Sequence, residues 1–190
     1  MSTGGLEFLW LRACAMGALL FGRRGRAEEL FGEMLVRWPD NAYARSSRAH
    51  VRAQAGRRVE ALADAQALVD AHPTRSAGDW FNLAFLLEAE DRLDDAEQAF
   101  RRAIEMNPKL DRAWYGLGLT LIRQHRFDDA VAALKRNTEL QPMSPYGWYQ
   151  LARVQVDREK PEEARKIIRH LKTFEPKVAE QLVRETGLQP

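Results

Sequence analysis

The stretch DRAWYGLGLTLIRQHRFDDA, residues 111–130, decides the fold. Read alone it is one amphipathic helix, a break, and the start of a second helix. Trp114, Leu117 and Gly118 follow one another at the three- and four-residue steps that place side chains on one helix face. Asp128 and Asp129 then run into Ala130, and acids in a first turn face the positive end of the helix macrodipole. The same order of residues returns along the chain.

The prolines set the period. Pro39, Pro73, Pro108, Pro142 and Pro176 are spaced by 34, 35, 34 and 34 residues. They divide the chain into blocks 8–41, 42–75, 77–110, 111–144 and 145–178, with Ser76 as one extra residue. Position 20 of every block is alanine: Ala27, Ala61, Ala96, Ala130 and Ala164. Position 8 is always small: Ala15, Ala49, Ala84, Gly118 and Ala152. Position 4 is Trp80, Trp114 and Trp148 in the last three blocks, followed at position 7 by Leu83, Leu117 and Leu151. Position 24 reads Phe31, Ala65, Phe100, Leu134 and Ile168. Each block therefore predicts two antiparallel helices, A over about positions 1–14 and B over about positions 17–31. Small residues let the two backbones approach, large ones lie on inward stripes, and the proline stops helix B. Gly22 and Gly56 mark the turn from A to B in the first two blocks. Residues 176–187 predict a final helix with Val178, Leu182 and Val183 inward and Gly187 as its stop.

Tryptophan, leucine and a small residue, then alanine, an apolar residue and proline on a 34-residue period resemble the tetratricopeptide repeat. The resemblance covers residues 8–178. Position 11 departs from it, never being aromatic, and block two has Arg45 where the tryptophan belongs. The family implies an all-α fold: a right-handed α-solenoid of five helix-turn-helix repeats, here a single domain over 1–190 closed by a capping helix at 178–187. One helix pair cannot bury its apolar stripe alone, so each stacks on the next.

Composition narrows the function. The net charge is +2, with 29 basic and 27 acidic residues, far from the basic footprint of a dedicated nucleic-acid binder. Cys14 is the one cysteine, so no internal disulfide forms and a cytoplasmic, reducing location is expected. Residues 6–22 are the most apolar stretch, but Glu7 and Arg12 interrupt it and it falls short of the roughly twenty residues that span a bilayer. The start MSTGGLE lacks the basic region of a secretory signal, and Arg12 spoils the lipoprotein-like LRAC at 11–14. Histidines 50, 72, 125 and 170 show no metal-ligand spacing. The paired acids at 94–95 and 128–129 are accounted for as helix starts, and no phosphate loop or nucleophile elbow occurs. No enzyme activity, cofactor, metal or nucleic-acid partner is expected.

In tetratricopeptide repeat proteins the helix A faces line a concave groove, at positions 2, 5, 6, 9, 12 and 13. Carried onto this sequence, the groove comprises Tyr43, His50, Phe81, Asn82, Phe85, Arg112, Tyr115, Leu119, Arg123, Tyr146, Tyr149 and Arg153. Aromatic residues and arginine are the types that anchor interfaces. Some family members clamp a peptide carboxylate with Lys, Asn and Arg. Of the matching positions here only Asn82 and Arg112 fit, so that ligand is not expected. The arginines favour an extended, partly acidic protein or peptide partner. The expected role is an adaptor that binds an extended peptide or a helix in this groove. The alternative is an assembly protein. Leu9, Met16, Leu19 and Leu20 stand where a terminal repeat should be polar, which suggests contact with a second copy, a partner or a membrane. Against that, residues 1–7 folding back would cover them.

Overall fold

The computed structural model describes residues Thr3–Gln189, apart from the side chain of Thr3. Among the described residues there are eleven α-helices and no strand. They fall into two compact units, one running to Glu90 and one from Asp91. The first holds α1 (Thr3–Leu20), α2 (Arg24–Arg37), α3 (Ala42–Gln54), α4 (Arg58–Ala71) and α5 (Ala77–Ala89). The second holds α6 (Leu93–Met106), α7 (Asp111–Arg123), α8 (Phe127–Leu140), α9 (Pro145–Asp157), α10 (Pro161–Lys172) and α11 (Pro176–Thr186). Odd-numbered helices through α9 are the expected A helices and even-numbered ones the B helices. Most ends fall within a residue or two of expectation, but α1 begins five residues early. Residues from Thr3 onward extend α1 and do not fold back over it.

In the first unit α1 packs on α2, α2 on α3, α3 on α4 and α4 on α5. In the second, α6 packs on α7, α7 on α8, α8 on α9 and α9 on α10, and α11 covers α9 and α10. The small residues sit where backbones approach. All five alanines at position 20 are fully buried, as are Ala15 and Ala84 at position 8. Gly118 shows why size matters there: a Cβ on it would lie 2.7 Å from Cγ of Leu134, inside van der Waals contact.

The tryptophans do more than fill the stripe. Each is half-buried, and each indole N–H donates to the carbonyl of the preceding repeat proline. The distances are 2.8 Å for Trp80 to Pro73, 2.9 Å for Trp114 to Pro108 and 2.9 Å for Trp148 to Pro142. Two sequence markers that read as a packing residue and a helix stop are thus one latch between consecutive blocks. Arg45 serves in block two, its Nη2 donating to the Pro39 carbonyl at 2.5 Å.

The A-to-B turns share one geometry. The residue at position 15 takes a left-handed conformation in every block: Gly22, Gly56, Asp91, His125 and Glu159. In blocks one, two, four and five the following N–H closes back onto the last turn of helix A, as in Arg23 to Ala18 O at 2.8 Å and Arg126 to Leu121 O at 2.9 Å. Glycine adopts this conformation freely. The three other side chains hold it at about 1 kcal/mol each.

Block two carries an ionic seam where its neighbours are apolar. Arg45, Arg48 and Arg52 occupy positions 4, 7 and 11 of α3, facing α2 and α4. Asp64 on α4 is 3 % exposed. It accepts from Nε and Nη2 of Arg48 at 2.8 and 2.7 Å and from Nη1 of Arg52 at 2.9 Å. Glu28 on α2 takes Arg52 Nε at 2.9 Å and also pairs with Arg57. The Arg57 hydrogen bond, opposed by burial and helped by Arg52, holds the Glu28 carboxyl below the usual carboxylate range. A similar tie joins α6 to the turn before α8, where Arg126 Nη1 meets Glu97 at 2.6 Å.

Candidate functional site

A cavity of about 610 Å³ opens in the first unit, where α3 and α5 present their A-helix faces. Helical spacing places Ser46, Ser47, His50 and Gln54 of α3 on one wall and Phe81, Asn82 and Phe85 of α5 on the other. Four of the expected groove residues, His50, Phe81, Asn82 and Phe85, are therefore brought together. His50 is exposed, and its Nε2 lies 2.9 Å from Nε2 of Gln54. Phe85 is 57 % exposed and offers an open ring face. Leu19, assigned from sequence to the N-terminal surface, is half-buried, packs on the core around Phe31 and lines this cavity.

Asp79 also lines the cavity, and sequence reasoning passed over it. It occupies position 3, which is Ala44 in α3, Ala113 in α7 and Gly147 in α9, all buried. A carboxylate at a position that takes alanine or glycine in blocks two, four and five, and an exposed Trp10 in block one, was the signal available.

Tyr43 lies elsewhere. Its half-buried ring meets Phe31 edge-on at 6.1 Å and sits under Arg12 at 4.6 Å, so it packs on repeat one.

In the second unit α7 carries Arg112, Tyr115, Leu119 and Arg123, with Tyr115 and Leu119 half-buried and both arginines exposed. Arg123 Nη2 pairs with Asp91 at 2.5 Å. On α9, Tyr146 is exposed, but Tyr149 and Arg153 are engaged. The Tyr149 hydroxyl donates to Glu185 of α11 at 2.6 Å, and Arg153 Nη1 reaches the same carboxylate at 2.9 Å. Gln181 holds its other oxygen at 2.8 Å. The Tyr149 hydrogen bond is the main force lowering the Glu185 pKa, and Glu185 in turn raises that of Tyr149.

The surface of α1 is apolar over most of its turn-by-turn length. Leu9, Met16 and Leu20 are exposed, as are Leu6, Trp10 and Phe21. Phe8 is held edge-on against Trp38 at 5.3 Å. Among the described residues no helix is long and apolar enough to cross a membrane. Among the same residues no group of three or more His, Cys, Asp or Glu is placed to hold a metal ion.

Two tetratricopeptide repeat profiles match the chain, over residues 15–76 and 87–149. No curated protein matches it in sequence. Among solved structures, the MamA protein superposes with a TM-score of 0.83 at 18% identity, covering 96% of each chain. YrrB, described as a TPR protein with an unusual peptide-binding site, gives 0.80 at 18% identity over 90% of this chain and 88% of its own. A tetratricopeptide repeat protein from Parabacteroides merdae gives 0.83 at 18% identity over 95% of this chain and 73% of its own. At these identities the likeness is one of fold, the all-α solenoid of helix-turn-helix repeats.

Proposed function

We propose that this chain, which belongs to the tetratricopeptide repeat family, is a non-enzymatic adaptor that seats a segment of a partner protein on its A-helix faces. Proteins of this family mediate protein–protein interactions, and the fold is typically a non-catalytic interaction scaffold. The observation that carries the finer reading is the cavity between α3 and α5. It combines apolar walls, an exposed aromatic ring at Phe85 and polar groups at His50 and Asn82 that suit a peptide backbone. Phe81 and Phe85 in the first unit act as anchors, as do Tyr115, Leu119 and Tyr146 in the second. Arg112 and Arg123 orient the segment, which is an extended peptide or a helix. Tyr149 and Arg153 take part once Glu185 releases them.

Truncating an exposed anchor should weaken binding without unfolding the protein. Phe85→Ala and Tyr115→Ala are each expected to weaken partner capture about tenfold or more, with thermal midpoints near that of the native chain. Capture is measured by pull-down from the source cell followed by titration of the recovered partner. Undiminished capture by both variants would remove the groove from consideration.

The exposed apolar surface of α1 favours a second reading, an assembly protein that associates through that helix. Sedimentation of the full chain distinguishes the two. Under this reading the native protein self-associates and Leu9→Glu with Leu20→Glu returns it to monomer. A native chain that is monomeric and stays off lipid vesicles excludes it.

A further inference from the structure

Asp79 is the one part of the cavity that packing does not explain. Its side chain is 5 % exposed, and Arg75 Nη2 donates to Oδ1 at 2.5 Å. Oδ2 is buried without a hydrogen-bond partner. An acceptor removed from water and left unpaired costs on the order of 1–3 kcal/mol, more when it is charged. The equivalent residues Ala44 and Ala113 are fully buried, and at Gly147 a Cβ would lie 2.1 Å from Asn137 Oδ1. Packing at position 3 therefore asks only for a small side chain. The helix contact does not call for the carboxylate, and its place in the first turn of α5 and its ion pair with Arg75 leave Oδ2 unsatisfied.

The cavity has the complementary character. Among the described residues that line it, Asp79 is the only Asp, Glu, Lys or Arg. The apolar part of the lining includes Leu68, Phe81 and Phe85. Aliphatic and aromatic walls accept an alkyl stem, and the ring faces attract a cation. A chain that ends in a positively charged N–H group matches both features at once.

The geometry points to a cation-selective subsite: the cavity receives a lysine or arginine side chain of the partner segment, its stem against Leu68, Phe81 and Phe85 and its terminal N–H donating to Asp79 Oδ2. This subsite rests on the groove reading, since the side chain arrives on a bound segment. It gives the α3–α5 cavity a sign preference opposite to that drawn from the arginines of α7 and α9. The orphaned oxygen gains its partner only on binding, so the unpaired side of this carboxylate selects the ligand.

The test uses the full chain and n-butylammonium as the probe, followed by amide chemical shifts, with butyrate as the anion of similar length. Butylammonium should shift the first two turns of α5 together with the α3 residues Ser46 and His50, and butyrate should not. Asp79→Ala should weaken butylammonium binding about fivefold or more. Asp79→Asn, which keeps the shape and loses the charge, should also weaken it. Equal binding of butyrate or undiminished binding by Asp79→Ala would each overturn the assignment. The groove reading fails on a different result. If butylammonium does not bind but Phe85→Ala still abolishes partner capture, the subsite falls and the groove stands. If the probe binds as expected but capture ignores Phe85 and Tyr115, the groove falls.

Discussion

Asp64→Ala should destabilise the protein by about 3 kcal/mol, because removing one partner of a buried ion pair leaves the other charge uncompensated. Asp64 accepts two hydrogen bonds from Arg48 and one from Arg52. In the variant Arg52 keeps Glu28 and Arg45 keeps the Pro39 carbonyl. The Arg48 guanidinium, 20% exposed, loses both of those bonds. For a chain of this length a loss of that size lowers the thermal midpoint by about 6–12 °C. The repeats themselves supply the control. Where block two pairs Arg48 with Asp64, block three has Leu83 with Ala99 and block four has Leu117 with Ala133. Arg48→Leu with Asp64→Ala should therefore recover most of the loss, giving a coupling free energy of about 2 kcal/mol in a double-mutant cycle. A single variant that melts like the native chain would show that the seam contributes nothing to stability.

Phe100→Ala should cost about 4 kcal/mol, at the level of a fully buried aromatic truncation. Phe100 on α6 is 1% exposed, and its ring fills the space that Gly116 on α7 leaves open. A Cβ at Gly116 would lie 2.4 Å from the ring Cζ, so the glycine exists to admit the phenylalanine. Gly116→Ala alone should cost about 1–3 kcal/mol through overpacking. In the Phe100→Ala background the same change meets a cavity, and its cost should vanish or reverse sign. Urea melts of the four proteins measure this. Strict additivity would show that the two residues do not share the space.

These two sites mark what a single sequence discloses. Prolines, the invariant alanines and the small residue at position 8 were legible because they answer constraints on the backbone, which repeat whatever surrounds them. The tryptophans were half legible. Their spacing fixed the helix face, but the indole bond to a proline carbonyl connects residues on two sides of a block boundary. Arg48 and Asp64 are sixteen residues apart, and only the fold brings them together. At the A-to-B turns Gly22 and Gly56 announced a left-handed residue, whereas Asp91, His125 and Glu159 do the same work with side chains that do not advertise it. The candidate site divides in the same way. Helical spacing placed His50, Phe81, Asn82 and Phe85 on one cavity, since α3 and α5 obey the repeat. Spacing failed for Tyr43 and Tyr149 because Arg12 and Glu185 claim them, and neither claim follows from position within a block.

The latch between Trp114 and Pro108 and the tie between Gln124 and Asp94 join a block only to the one before it. A tandem duplicate of residues 111–144 inserted after Ser144 would carry both halves of each join, its tryptophan meeting Pro142 and its glutamine meeting Asp128. These two joins are thus written locally, and a chain lengthened by a whole unit keeps both of them.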